Sequence, residues 1–287
     1  MDTTILRVVL IVFSGLIIIS LWGFYSSIRP PKIISSVTPR DLKMNYEDVS
    51  FRTADGLTLR GWYIPAAQRT EKTLILLHGY PADKGNILPA LSFLHEDFNL
   101  LLFDFRYLGK SEGSYSTAGA KEVEDLLAAI QFLKSRGVRE VGVWGFSMGG
   151  AVALMAIEKA PEIRVVISES SYASLAEMTF ELLRIPGLNY PIAYLVSVWA
   201  KLFLGIDVTE ASPADRIRNT KIPILLIHSS ADAVIPFSHA LSLQQALAKN
   251  PNAEFWFHEE YAHGQLALDY RNRVREFFLK HLSANVS

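Results

Sequence analysis

The sequence predicts an α/β fold, a mostly parallel sheet with helices on both faces, carrying one helical insertion and preceded by an apolar helix. Three observations predict it. Short, nearly continuous apolar runs alternate with stretches of helical spacing through residues 46–287. One of those runs passes straight into a glycine-rich turn and then a helix-like stretch, at 141–158. The one long departure from the alternation, 172–206, is rich in aromatic residues and broken by Pro186-Gly187 and Pro191.

In chain order the first element is the apolar segment 8–28, which holds no charged residue. At about 1.5 Å per residue it is long enough to cross roughly 30 Å of hydrocarbon. Trp22 and Tyr25 sit toward its far end, where amphipathic rings favour an interface, and Arg29-Pro30-Pro31-Lys32 ends the helix. Residues 1–28 are therefore expected to be a single-pass amino-terminal transmembrane anchor. A cleaved secretory signal is the competing reading, but the run exceeds the usual apolar core of such signals and no small-x-small site follows. Arg29, Lys32, Arg40 and Lys43 outnumber Arg7, which favours a cytoplasmic domain, with an exported domain as the alternative.

Residues 29–45, rich in Pro and Ser, read as a linker. A hairpin is expected at 48–52 and 57–64 around Ala54-Asp55-Gly56. Strands buried on both faces are expected at 73–77, 100–103, 141–144, 165–168, 224–227 and 254–257. Helices are expected at 86–95, 120–134, 148–158, 237–248 and 265–280. The insertion 172–206, with Phe180, Leu182, Leu183, Tyr190, Tyr194, Trp199 and Phe203, reads as a helical lid.

Composition narrows the function. Half of the 287 residues are apolar, enough for a sizeable core. Lys plus Arg (28) nearly cancels Asp plus Glu (29), and no basic stripe is present, so nucleic acid is not an expected partner. The lack of cysteine removes disulfides, thiol nucleophiles and thiolate metal sites. Oligomeric state is left open.

The chemistry centres on Gly145-Phe-Ser147-Met-Gly149, a Gly-x-Ser-x-Gly pattern between a predicted strand and a predicted helix. Small neighbours let the backbone bend sharply and push Ser147 into a cleft. The competing role is a serine that caps the helix. A serine hydroxyl is a weak nucleophile, so it needs a base beside it and an acceptor that orients the base. Asp232 lies just past a predicted strand, and His263 follows the last predicted strand and precedes the final predicted helix. Glu169 is the reserve acid and His258 the reserve base. An oxyanion needs two backbone donors: the Met148 N–H, and the Tyr80 N–H after the turn Leu77-His78-Gly79. His78 lacks partners at metal-ligand spacing and is assigned to fixing its loop.

Taken together, His78-Gly79, the stretch from Phe103-Asp104 through Arg106-Tyr-Leu-Gly109 to Gly113, the Ser147 motif, Asp232 and His263 resemble successive landmarks of the α/β-hydrolase superfamily. The resemblance covers roughly residues 45–282. It lies nearest the serine aminopeptidase-like and monoacylglycerol-lipase-like branch, including membrane-anchored esterases and depalmitoylating thioesterases. It implies an α/β-hydrolase fold and a Ser147–His263–Asp232 mechanism without metal or organic cofactor. Where many relatives read Arg-Gly-x-Gly, this chain has Arg106-Tyr-Leu-Gly109. The expected substrate is an acyl ester or thioester with a medium or long chain, for which the aromatic lid supplies apolar walls. A peptidase is the alternative, with Glu169, Glu177 or Glu181 holding a substrate's amino terminus, and a non-catalytic binding protein on the same fold is another.

Overall fold

A computed structural model describes residues 2–182 and 188–282. Eight strands form one sheet: β1 (Glu47–Arg52), β2 (Thr58–Ile64), β3 (Thr73–Leu77), β4 (Asn99–Phe103), β5 (Val141–Phe146), β6 (Ile163–Glu169), β7 (Ile224–Ser229) and β8 (Ala253–His258). Their spatial order is β1-β2-β4-β3-β5-β6-β7-β8. Only β1–β2 and β2–β4 pair antiparallel; every pair from β4 to β8 is parallel.

Alternation along each strand splits the interior in two, because successive side chains point to opposite faces. Ile75, Leu77, Leu101, Phe103 and Val143 pack into one core; Leu74, Leu76, Leu100, Leu102 and Trp144 pack into the other. The first core is covered by α3 (Glu122–Ser135) and α4 (Met148–Ala156), the second by α2 (Lys84–Leu91) and α9 (Tyr270–His281). Two short helices complete the domain, α7 (Pro213–Arg216) and α8 (Phe237–Ala246).

Every expected helix shifts at one or both ends, and two of the starts are explained locally. Helix α2 starts at Lys84 because Asp83 caps it, accepting a bond from the Asn86 N–H at 3.2 Å, and it tightens into a 3-10 turn over Ser92–Glu96. Helix α9 starts at Tyr270 and not at 265, and Leu268, ahead of it, is 98% exposed. The short α7 was not anticipated; Pro213 opens it.

The 172–206 insertion, expected to be a helical lid, holds α5 (Leu175–Leu182) and α6 (Asn189–Leu204), which touch through the rings of Phe180 and Tyr190. Leu183 and the Pro186-Gly187 break lie outside the described residues. The amino-terminal helix α1 (Thr3–Ile28) is the one described helix long and apolar enough to cross a membrane. Its carboxyl end packs on α6: Ser20 is fully buried, Trp199 donates to its hydroxyl at 3.0 Å, and Phe24 stacks on Phe203. The 29–45 segment is held along the domain, with Ser35 donating to Asp83 through its N–H and hydroxyl, and with Met44 in the core.

Candidate active site

At the end of β5 the chain reverses into α4 through Ser147, whose φ of 54° and ψ of −118° lie outside the ordinary regions. Such a conformation costs about 1–3 kcal/mol and persists only where its surroundings enforce it. Here the enforcement is close packing on both sides. A Cβ on Gly145 would stand 2.3 Å from the Gly149 carbonyl oxygen, and one on Gly149 would stand 2.6 Å from that of Leu77. The Ser147 N–H donates to the Glu169 carbonyl at 2.8 Å, and its own carbonyl accepts from Gly150 and Ala151. The hydroxyl makes no capping bond, against the capping role weighed from sequence, and Ser147 is 7% exposed.

Asp232 follows β7 and His263 follows β8, both at the carboxyl edge of the sheet where β5 delivers Ser147. The structure brings the first two together: His263 Nδ1 and Asp232 Oδ2 are 2.7 Å apart. The other carboxylate oxygen, Oδ1, accepts from the N–H groups of Val234 (2.8 Å) and Ile235 (2.9 Å). Burial alone would raise the pKa of this enclosed carboxyl, but the His263 bond and the Ile235 amide outweigh it and hold the group below its usual value. An ionised Asp232 accepts a hydrogen bond from Nδ1–H, which leaves Nε2 as the acceptor nitrogen.

The imidazole rests on Phe146, the residue before Ser147, with ring centroids 4.6 Å apart. Gly264, at φ 78°, allows this approach, since its Cβ would meet the Phe146 ring at 3.2 Å. Among the described residues no hydrogen bond joins the Ser147 hydroxyl to His263. Catalytic bonds of this kind are often open in a substrate-free site and tighten in the complex.

The turn after β3 touches the nucleophile: a Cβ on Gly79 would lie 3.2 Å from Ser147 Cβ. Tyr80 is the next residue, and Met148 opens α4, where its N–H has no intrahelical acceptor. Buried His78 holds this turn, with Nδ1 on the Gly79 carbonyl (2.8 Å) and Nε2 accepting from the Phe105 N–H (3.1 Å). The Tyr80 phenol points away and donates to the Ser27 carbonyl of α1 at 2.7 Å; burial pushes its pKa up to about 12.

The 104–113 loop is braced by buried charges. Asp104 pairs with Lys84 at 2.6 Å, and Asp125 receives both the guanidinium and the N–H of Arg106. Tyr107, at the position where the resemblance leads one to expect glycine, has φ 68°. Its hydroxyl donates to the Pro30 carbonyl at 2.8 Å and its ring faces Lys32 Nζ at 5.2 Å.

The reserve residues are engaged elsewhere. Glu169 is buried against the Tyr270 hydroxyl, and burial lifts its pKa to about 7. The His258 ring sits between Trp256 and Tyr261, and burial lowers its pKa. Glu181 meets His239 Nε2 at 2.7 Å, and Glu177 lies 3.7 Å from its Nδ1. Sequence reasoning missed Phe146 and the Val234 and Ile235 amides. The Asp-x-x turn following Asp232 was a legible signal for the amides, because Asp readily bonds amides two and three residues on.

Known proteins are similar to this chain in sequence and fold. A family model described as the α/β hydrolase fold matches residues 72–193. YfhR of Escherichia coli (strain K12) is 34% identical over 216 residues, covering 71% of this chain and 69% of that protein. The thiohydrolase AneE of Aspergillus aculeatus is 33% identical over 151 residues, half of this chain and 46% of its own. Among solved structures, the Pyrococcus furiosus esterase Pf2001 superposes with a TM-score of 0.75 at 28% identity, over 89% of this chain and 100% of that one.

Proposed function

The chain belongs to the α/β-hydrolase superfamily, and we propose that it is a membrane-anchored serine hydrolase cleaving carboxylic esters or thioesters of medium or long acyl chain. One observation carries the reading: the Asp232–His263 pair at 2.7 Å, with its imidazole seated on Phe146 beside a strained Ser147. In this scheme Ser147 Oγ attacks the acyl carbon and its proton passes to His263 Nε2. Asp232 fixes the ring and stabilises the imidazolium without itself taking the proton. The carbonyl electrons move onto oxygen, which the Tyr80 and Met148 amides receive. Collapse breaks the acyl–oxygen or acyl–sulfur bond, and the leaving alcohol or thiol takes the proton from Nε2. Water then repeats the sequence on the acyl-enzyme, releasing the acid and restoring Ser147.

The names of similar proteins, an esterase and a thiohydrolase, favour the ester and thioester class. The docking of Glu177 and Glu181 on His239 gives a peptidase reading no comparable support. The packing of Ser20 and Phe24 on the lid favours α1 as a retained anchor over a cleaved signal. The charge balance around α1 favours a catalytic domain on the cytoplasmic side.

The test is labelling of the intact protein with a fluorophosphonate. Wild type is expected to label and Ser147→Ala to lose the label while keeping its circular dichroism and melting profile. Equal labelling of a folded Ser147→Ala protein would remove the proposal.

A further inference from the structure

We infer that the acyl chain of the substrate is housed in an apolar cavity walled on one side by α1, so that the anchor helix is part of the binding site. The inference deepens the hydrolase reading and rests on it. The cavity, of about 160 Å³, lies where the last turns of α1 meet the lid. Gly23, Phe24 and Ile28 line it from α1, and Val196, Ala200 and Leu204 line it from α6. A closed apolar cavity of about 150 Å³ admits a benzene-sized hydrocarbon, and this one, mostly apolar and partly open, leaves room for a chain to enter. The space therefore suits a stretch of acyl chain and not a polar head group.

Two contacts join this cavity to the catalytic loops. Ser27, on its wall, accepts the Tyr80 phenol at 2.7 Å, and Tyr80 is the residue whose amide is assigned to the oxyanion. Ala118, also on its wall, accepts the Tyr172 phenol at 2.7 Å, and a Cβ on the neighbouring Gly119 would stand 3.7 Å from Met148 Cγ. The occupant is a fatty acyl tail drawn from the bilayer. The helices forming the cavity also expose apolar side chains on their outer faces: Ile11 and Ile18 on α1, Tyr194 and Leu202 on α6. A tail leaving the membrane core along these helices stays in apolar surroundings.

Gly23 provides the test, because a Cβ there meets nothing within 4 Å and a larger side chain can grow into the cavity. Gly15, on the same helix, is equally open and does not line the cavity, so it serves as control. Full-length wild type, Gly23→Phe, Gly23→Leu and Gly15→Phe are reconstituted in phosphatidylcholine vesicles, and kcat/KM is measured for nitrophenyl acetate and palmitate. Gly23→Phe is expected to lower the palmitate-to-acetate ratio at least tenfold and Gly23→Leu by less, with Gly15→Phe like wild type. S-palmitoyl peptide and monopalmitoylglycerol then distinguish a protein thioester from a lipid ester as the source of the tail.

A diazirine-bearing C16 fatty acid gives a readout that needs no turnover. It is expected to crosslink to α1 or α6 at the cavity in wild type and Ser147→Ala, and to lose that crosslink in Gly23→Phe. An unchanged ratio and an unchanged crosslink in Gly23→Phe would overturn the inference. Ser147-dependent turnover without a cavity crosslink defeats the cavity alone. A cavity crosslink with turnover that survives Ser147→Ala defeats the hydrolase reading alone.

Discussion

Replacing Asp232 with asparagine tests the proposed site without emptying it, and the surrounding hydrogen bonds dictate the outcome. In the wild type, Oδ1 is held by two backbone donors, Val234 N–H at 2.8 Å and Ile235 N–H at 2.9 Å, and Oδ2 faces His263 Nδ1 at 2.7 Å. Asparagine has one oxygen. Turning it toward His263 would leave two backbone donors facing an NH₂ group, a loss of about 1–3 kcal/mol for each unsatisfied donor. The oxygen therefore stays on the amides and the NH₂ points at Nδ1. Nδ1 must then accept, the ring proton moves to Nε2, and the nitrogen facing the nucleophile can no longer take its proton. A triad locked in the wrong tautomer loses about 10⁴-fold in kcat, equivalent to roughly 5.5 kcal/mol of transition-state stabilisation. The assay is a parallel measurement of fluorophosphonate labelling rate and nitrophenyl ester turnover, with melting temperature as a control for folding. Activity above about a tenth of wild type, together with complete loss in Glu169→Gln, would show that the reasoning chose the wrong carboxylate.

Glu169 makes a pH-dependent prediction of its own. Its usual pKa of 4.5 is raised by burial to about 7 in the folded chain. Below 4.5 both folded and unfolded forms carry the proton; between 4.5 and 7 only the folded form keeps it, so stability falls as pH rises. At about 1.4 kcal/mol per unit this amounts to about 3 kcal/mol. Denaturant unfolding at pH 5 and pH 8 should show Glu169→Gln losing less stability than wild type by that order, and identical losses would contradict the assignment. Tyr107→Gly should relieve about 1–2 kcal/mol of left-handed backbone strain and forfeit about 1 kcal/mol of hydrogen bonding to Pro30. Because the half-buried ring also leaves the core it packs against, net stability should fall, while hydrogen exchange at 24–32 accelerates. Unaltered exchange there would mean that Tyr107 does not fasten the amino-terminal segment.

How much of this was legible in the sequence depends on whether the deciding interaction is local. The strands read correctly because burial on both faces leaves continuous apolar runs such as 73–77, and the sheet keeps them. The elbow read correctly because the close approaches at Gly145 and Gly149 exclude any Cβ, a demand written in the residues themselves. The order of Asp232 and His263 was legible, but the seat of the imidazole on Phe146 was not, since it joins segments brought together only by the sheet. Tyr107 stood out as a departure, yet its purpose appears only once Pro30 lies beside it. Helix α9 begins later than expected, at Tyr270, and the apolar Leu268 before it faces solvent, a placement that apolar spacing alone does not mark.

Helix α1 is the strongest case. A helix apolar all round has no polar face whose absence would mark the side that packs. One local hint is Ser20, one of four serines in the apolar run, whose hydroxyl both donates to the Ile17 carbonyl and accepts from the Trp199 indole. A serine with only the first bond would be at ease in lipid. The second bond, made by a residue 179 positions away, ties the end of the apolar helix to α6. An anchor serving only to hold the domain near a bilayer has no need of that bond, whereas a helix that shapes where the acyl chain lies must be kept in register with the lid.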